Sequence, residues 1–501
     1  MGFKVSSDLE KNLEYVKEQL KDCDDVIYRN LEIGDENKVK VSFVMIDGLA
    51  SKLEISDFAI ETMIESSEVN IENLNNFKEE FLKYILDEGI SNSEVKLVDD
   101  YDKIFNQILS GETLLLMDGI DTGIIIGTRG WALRAINEPE TETVIRGPRD
   151  GFTETLRINT TLIRRRIKDT KFKVKMVRVG RRSQTDVAIM YIEDIVDPKI
   201  LEEVKKRLNN IDIDAVLDSS ILEYLVEDNY MSIFPQIENT ERPDSVAAAL
   251  YEGRVALIVD NSPFALIMPA TIGTLMQSSE DYYTRWTEAS FIRLMRILAV
   301  FLVILPSALY VAITAYHPGL LPNRLIYYLA ASRINVPFPA VVEAMGMELI
   351  MEIIREAGTR ISGPIGSTIG IVGGLIIGQA AVEAGIVSNL MIIIVALTTI
   401  ASFAIPSYEL AAALRLCKYA FIVLAGILGL YGIMLGVILL GSHIVILNSF
   451  GVPFASPYAG LGVEEGDLKD TLVKAPVQRL WMRPGFSNPQ NRIRMKRGNK
   501  K

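Results

Sequence analysis

Four stretches without a charged side chain, residues 297–316, 361–382, 384–408 and 419 to about 440, limit what this chain can fold into. Each meets the roughly 20 residues that an α-helix needs to cross the hydrocarbon of a bilayer. Several membrane crossings are therefore expected, the first with Pro306 near its centre. Within the second stretch Gly366, Gly370, Gly374 and Gly378 recur at four-residue spacing. On a helix those positions stack along one face, and in lipid such a bare strip lets a neighbouring helix approach closely. A lone anchor has no use for it, so packed transmembrane helices are expected.

Charge divides the chain into three parts. Residues 1–296 carry 36 basic and 54 acidic side chains, 297–460 carry six of each, and 461–501 carry ten and four. The first 20 residues are polar and charged, which argues against a signal peptide and places the front half on the cytoplasmic side. After Thr471 there are nine Lys or Arg and no acid, so the tail is expected there too. Four spans would put both ends on that side, although Arg415 and Lys418 would then lie in an outward loop after the third. The two cysteines and two histidines are too few and too scattered for a disulfide framework or a zinc centre. No metal or other cofactor is expected.

The acidic front reads as two α/β subdomains, residues 1–135 and 136–250. In the first, Leu9, Leu13, Val16 and Leu20 form a helical stripe, 39–46 alternates as a strand, and Phe77, Phe81, Tyr84 and Ile85 return to helical spacing. Strands at 113–117 and 123–127 follow, with Asp118-Gly119 as the turn between them. In the second, the pattern predicts a helix over 153–168, strands at 173–179 and 187–192, and helices at 198–208 and 219–226. Between Arg146 and Arg182 there are 13 basic and three acidic residues. That run is either a surface partnering the acidic first subdomain or a dock for another subunit or anionic headgroups. No nucleic-acid motif accompanies it.

Residues 251–290 form a broken apolar linker. The run 255–276 is interrupted by Asp260, by Asn261-Ser262-Pro263 and by Pro269, and fits a re-entrant hairpin, an interfacial element or the last strands of the soluble region. A transmembrane helical domain spans 291–448, and 449–501 is the basic tail. Inside the helical domain an amphipathic helix over 339–360 sets Glu348, Glu352 and Glu356 four apart beside Val341, Met345, Leu349 and Ile353. Those carboxylates either face water from an interfacial helix or line an aqueous pathway, where acidic groups favour cations. Glu383, beside Gln379 at the end of the glycine helix, is a further pathway candidate, as ionisable groups near hydrocarbon tend to be. Phosphate-loop and nucleophile-elbow motifs are missing, so no catalytic residues are assigned and enzyme activity is not expected.

One segment is more specific than these patterns. Asn137-Glu138-Pro139-Glu140-Thr141-Glu142-Thr143-Val144-Ile145-Arg146-Gly147-Pro148-Arg149-Asp150-Gly151-Phe152 is followed in order by Arg164-Arg165-Arg166, Asp281-Tyr282-Tyr283, Pro337-Phe338-Pro339 and Gly378-Gln379-Ala380-Ala381-Val382-Glu383-Ala384-Gly385. This series resembles the GerA family of spore germination proteins, and specifically the A subunit of a nutrient germinant receptor, over residues 8 to 490. Stage V sporulation AF-type paralogues share the signature. The resemblance implies a multi-pass protein of the endospore inner membrane with a cytoplasmic N-terminal region. It also implies a transporter-like B subunit, a C lipoprotein and further A subunits as partners, in an oligomeric nutrient-gated cation channel. A non-conducting scaffold that recruits B and C is the rival expectation.

Overall fold

The computed structural model describes residues 3–33, 39–51, 55, 94–130, 137–360, 378–459 and 467–495. The expected helix around Phe77–Ile85 and three of the ladder glycines, Gly366, Gly370 and Gly374, lie outside them. Two compact units emerge. One comprises Met1–Glu227, Ile237–Pro269 and Trp481–Lys501, the other Asp228–Gln236 and Ala270–Leu480.

The first unit contains two five-stranded sheets. Asp8 caps α1 (Leu9–Gln19) by accepting hydrogen bonds from the Glu10 and Lys11 amides, and Leu9, Leu13 and Val16 turn into the core. Strands β1 (Val26–Ile33), β2 (Val39–Ile46), β3 (Val95–Val98), β4 (Thr113–Met117) and β5 (Gly123–Ile126) pair antiparallel in the order β1-β2-β4-β5-β3. α2 (Tyr101–Ile108) joins α1 over the sheet, burying Tyr101, Ile104, Phe105 and Ile108.

The second sheet is built from α3 (Leu156–Arg164), β6 (Phe172–Val179), β7 (Thr185–Ile192), α4 (Pro198–Asn209), α5 (Ser219–Val226), β8 (Glu238–Thr240), α6 (Pro243–Tyr251), β9 (Val255–Val259) and β10 (Ala265–Met268). Its order is β6-β7-β9-β10-β8, all antiparallel. The apolar run beginning at 255 is therefore a hairpin, turned at Asn261 with φ +66°, with all nine of its strand residues buried. Of the three readings of that run, strands are observed over 255–268, while Ile272–Leu275 is a short helix of the other unit. The sheet also runs past residue 250, where the second subdomain was expected to end. A strand covered on both faces and a membrane segment present the same uninterrupted apolar run, so hydropathy does not separate them.

The basic run from Arg146 to Arg182 is largely taken up within this unit. Arg164 forks onto Asp25, Arg157 pairs with Asp47, and Lys175 lies 3.3 Å from Asp22. Other members find nearby acids, Arg166 with Asp150 at 2.6 Å and Lys171 with Asp194 at 2.9 Å.

The second unit is helical: α7 (Trp286–Ala315), α8 (Asn323–Ser332), α9 (Ala340–Arg360), α10 (Asn389–Phe403), α11 (Tyr408–Leu428) and α12 (Leu430–Ile446). α7 packs on α9, α10 and α11, with Val303, Ala308, Val311, Ala344, Met391, Val395, Leu414 and Ile422 in the shared core. Among the described residues two helices, α7 and α11, are long and apolar enough to cross a membrane, and most of the expected span 361–382 lies outside those residues. α10 and α12 are apolar but shorter, at 15 and 17 residues. Sequence placed two further full-length spans here, and the structure corrects both. The first shortens because Ser388 caps it at one end and Ala404 ends it before Pro406. The second is split at Gly429, whose φ of +64° no regular helix accommodates.

Candidate functional site

The helical unit inverts the usual distribution of polarity. Phe301, Ile400, Phe403, Ile427, Tyr431 and Ile438 are each more than half exposed, whereas Glu343, Glu348, Arg415 and Lys418 are buried. Apolar side chains outward and charge inward is what a helical unit surrounded by lipid requires.

These charges form a seam along α9. Glu348, 1% exposed, accepts hydrogen bonds at Oε1 from Ser307 Oγ (2.6 Å, α7) and Thr398 Oγ1 (3.2 Å, α10), and at Oε2 from the Lys418 ammonium (α11). One turn away, Glu352 takes Arg415 Nε at 3.1 Å and Arg355 Nη1 at 2.8 Å, and Arg355 also donates to Ser402 Oγ at 3.2 Å. On the other side Glu343 accepts from the Ser388 amide and hydroxyl, both at 2.7 Å, and from Tyr310 Oη at 3.2 Å. Arg333 Nη2 lies 3.4 Å from the same carboxylate. Spacing brings these groups together: Ser307 and Tyr310, Thr398 and Ser402, and Arg415 and Lys418 stand three or four apart, each pair on one face of its helix.

Two of the four carboxylates proposed from sequence, Glu348 and Glu352, lie in this seam. Glu356 and Glu383 are exposed outside it, and neither reading of the acidic edge anticipated that Glu348 would be buried. Arg415 and Lys418, expected in an outward loop, sit mid-helix in α11 as counter-ions. Lone cations in otherwise apolar helices were the signal for them, because burying a charge is costly unless an opposite charge meets it. Glu343 was missed altogether, being off the four-residue repeat. Gly378 is buried, and a Cβ there would meet only Ile392 at 3.9 Å.

In the other unit, the signature segment folds into a loop clasped by two residues that sequence reading did not single out. Glu241 receives the Glu140 amide (2.7 Å) and the Thr141 hydroxyl (2.9 Å), and Arg242 reaches the carbonyls of Glu142 (3.1 Å) and Pro148 (2.8 Å). Glu138 and Arg149 pair at 3.3 Å on the exposed side. Gly147, at φ +142°, turns the loop. Gly151 lets it close, since a Cβ there would press within 3.1 Å of the Asn137 carbonyl and the Pro139 nitrogen. Phe152 anchors the far end in the core. Arg146 is exposed.

The Glu142 carboxyl accepts from the Thr240 hydroxyl at 2.5 Å. Burial, reinforced by the nearby Glu238 and Glu241 carboxylates, pushes its own carboxyl up to about 7 against Arg242. The folded chain thus holds this proton more tightly than the unfolded chain does. The resulting stability is fully present below the ordinary carboxylate value and is lost as pH rises through about 7. Glu142→Gln is expected to remove that part of the slope, read as melting temperature against pH between about 4.5 and 7.5. An unaltered slope in the variant would assign the titration elsewhere.

A two-sheet α/β unit followed by a helical unit, in which two of the described helices are long and apolar enough to cross a membrane, sets the class of protein. Within it, the chain belongs to the GerA family of spore germination proteins: the family model described as Bacillus/Clostridium GerA spore germination protein matches residues 14–486. Spore germination protein KA of Bacillus subtilis (strain 168) is 42% identical over 98% of this chain and 88% of its own. Spore germination protein GerLA of Bacillus cereus is 40% identical over 96% of each chain. A membrane protein of Bacillus subtilis (strain 168), YfkQ, is 42% identical over 96% of this chain and 91% of its own. Among solved structures, the N-terminal domain of the A subunit of the Bacillus megaterium spore germinant receptor GerK3 is 30% identical, covering 54% of this chain and 98% of that one, with a TM-score of 0.42.

Proposed function

We propose that the chain is the A subunit of a nutrient germinant receptor and that its helical unit provides a gated monovalent-cation pathway in the endospore inner membrane. The two-sheet unit would face the cytoplasm. A transporter-like B subunit, a C lipoprotein and further copies of this chain would complete the assembly, with a coupling free energy linking nutrient binding to the pathway. The seam of Glu343, Glu348 and Glu352 carries this reading. Ionisable groups inside apolar helices are expensive to bury and characteristically mark ion routes.

Reconstituting the chain with its B and C partners in liposomes should give nutrient-dependent potassium efflux, and Glu348→Gln should cut that efflux at least tenfold. An intact complex with no nutrient-dependent flux would sink the pathway. One observation favours a second reading. Each seam carboxylate already has a cation within the chain, as a rigid scaffold that recruits B and C would need. The scaffold reading expects Glu348→Gln and Glu352→Gln to germinate normally.

A further inference from the structure

We infer that the Lys418 ammonium is a tethered cation occupying a site for a small monovalent cation, and that its withdrawal from Glu348 opens that site; this rests on the pathway reading above. The three seam carboxylates are not held alike. Glu343 and Glu352 meet guanidinium groups, from Arg333 and from Arg355 with Arg415. Glu348 alone of the three meets an ammonium, a compact point charge on a flexible stem, where a planar guanidinium fork would be held in place.

Among the described residues, the other hydrogen-bond partners of the Glu348 carboxylate are two hydroxyls. Ser307 Oγ and Thr398 Oγ1 both approach Oε1, and each hydroxyl has acceptor lone pairs besides the proton it donates. With the ammonium in place Ser307 donates to the carboxylate, and Thr398 divides its one proton between the carboxylate and the Val395 carbonyl at 2.9 Å. With it gone the hydroxyls can rotate, and the two carboxylate oxygens are left with two hydroxyl oxygens beside Oε1, the four coming from three helices. An ammonium group resembles potassium in charge and size, and a buried carboxylate stripped of its partner is neutralised either by a replacement cation or by a proton. Structural packing by itself gives no reason to choose a lysine at this position, since an apolar pair of similar volume is often as stable.

The test uses the purified full chain in detergent, melted in potassium, sodium or N-methylglucamine chloride at equal ionic strength. Lys418→Met is expected to gain a saturable rise in melting temperature with potassium or sodium. Wild type and the Glu348→Gln, Lys418→Met double variant should show none. Identical melting of Lys418→Met in all three salts would overturn the inference, because Glu348 would then be neutralised by a proton. Lys418→Gln supplies the same comparison should the Met variant not fold. In liposomes with the B and C partners, Lys418→Met should leak potassium without nutrient at least tenfold above wild type, while Lys418→Arg stays closed. A tight Lys418→Met complex overturns the gating role. A cation-stabilised Lys418→Met chain whose wild-type complex never conducts would instead defeat the pathway reading and leave the site standing.

Discussion

Replacing Arg164 with alanine is expected to destabilise the two-sheet unit by about 3–5 kcal/mol, the range for breaking a buried ion pair from one side. Arg164 is 1% exposed on its side chain and Asp25 9%. Its Nε and Nη2 donate to the two carboxylate oxygens at 2.9 and 2.8 Å, Nη1 donates to the Phe172 carbonyl at 2.9 Å, and the guanidinium lies over the Phe172 ring. Alanine would leave Asp25 buried without that partner and the Phe172 carbonyl with only the weaker Cys23 thiol donor at 3.6 Å besides any strand contact. The loss reaches beyond one pair because this contact joins the first sheet to the second. Around it the Asp24 amide donates to the Val174 carbonyl at 2.9 Å, and Asp24 Oδ2 accepts from the Met176 amide at 2.7 Å. Lysine cannot reproduce the fork, so Arg164→Lys should recover less than half of the loss. Denaturant titration of the purified chain, followed by a probe in the two-sheet unit, measures both. A loss below about 1 kcal/mol for Arg164→Ala would mean that the pair behaves as a solvated surface contact.

The same residue shows where sequence reading reached and where it stopped. The excess of cations between Arg146 and Arg182 was visible, and partnering the acidic first subdomain was one of its two readings. Which aspartate each arginine meets depends on the sheets coming together, and no local pattern encodes that. Strands β2, β4, β6 and β7 were legible from alternation or apolar runs bounded by turn residues. By contrast β1, with Arg29, Asn30 and Glu32 on its exposed positions, reads as polar, and β9 lies in an apolar run that strands and a membrane element fit alike. In the helical unit, apolar run length placed the end of α7 within a residue but missed the first eleven residues of both α7 and α11. Arg415 and Lys418 look like the end of a membrane segment until their counter-ions on α9 are known. The candidate site was thus half legible: its acidic helix was, its cations and hydroxyls were not. Ser307, Thr398 and Ser402 carry no signal by themselves, because a hydroxyl in an apolar helix commonly bonds its own backbone.

A β-carbon at Gly432 should force apart the helical hairpin that carries Lys418. The chain reverses at Gly429, and α12 returns along α11 with Gly432 beside Leu424 and Leu428 and Gly436 beside Phe421 and Leu424. A Cβ at 432 would lie 2.6 Å from the Leu424 carbonyl carbon and nearer still to its oxygen. Those are backbone atoms of the facing helix, so no rotamer change relieves the clash, and the helices must separate. Overpacking costs typically about 1–3 kcal/mol where side chains can yield, and this contact falls at or beyond the upper end. At Gly436 a Cβ would meet the Phe421 ring at 3.0 Å, the movable end of a side chain. Gly436→Ala should therefore cost clearly less, and the difference between the two alanine variants reads backbone contact against ring contact. Melting of the purified chain in detergent should fall by roughly 5–10 °C for Gly432→Ala. Equal melting of the two variants would show that the hairpin is not closed at 432. This close approach of helices through bare backbone is the role assigned from sequence to the glycine ladder between Gly366 and Gly378. The described residues place an instance of it at Gly432 and Gly436, where two glycines four apart let α12 lie against the helix that supplies the seam with two of its cations.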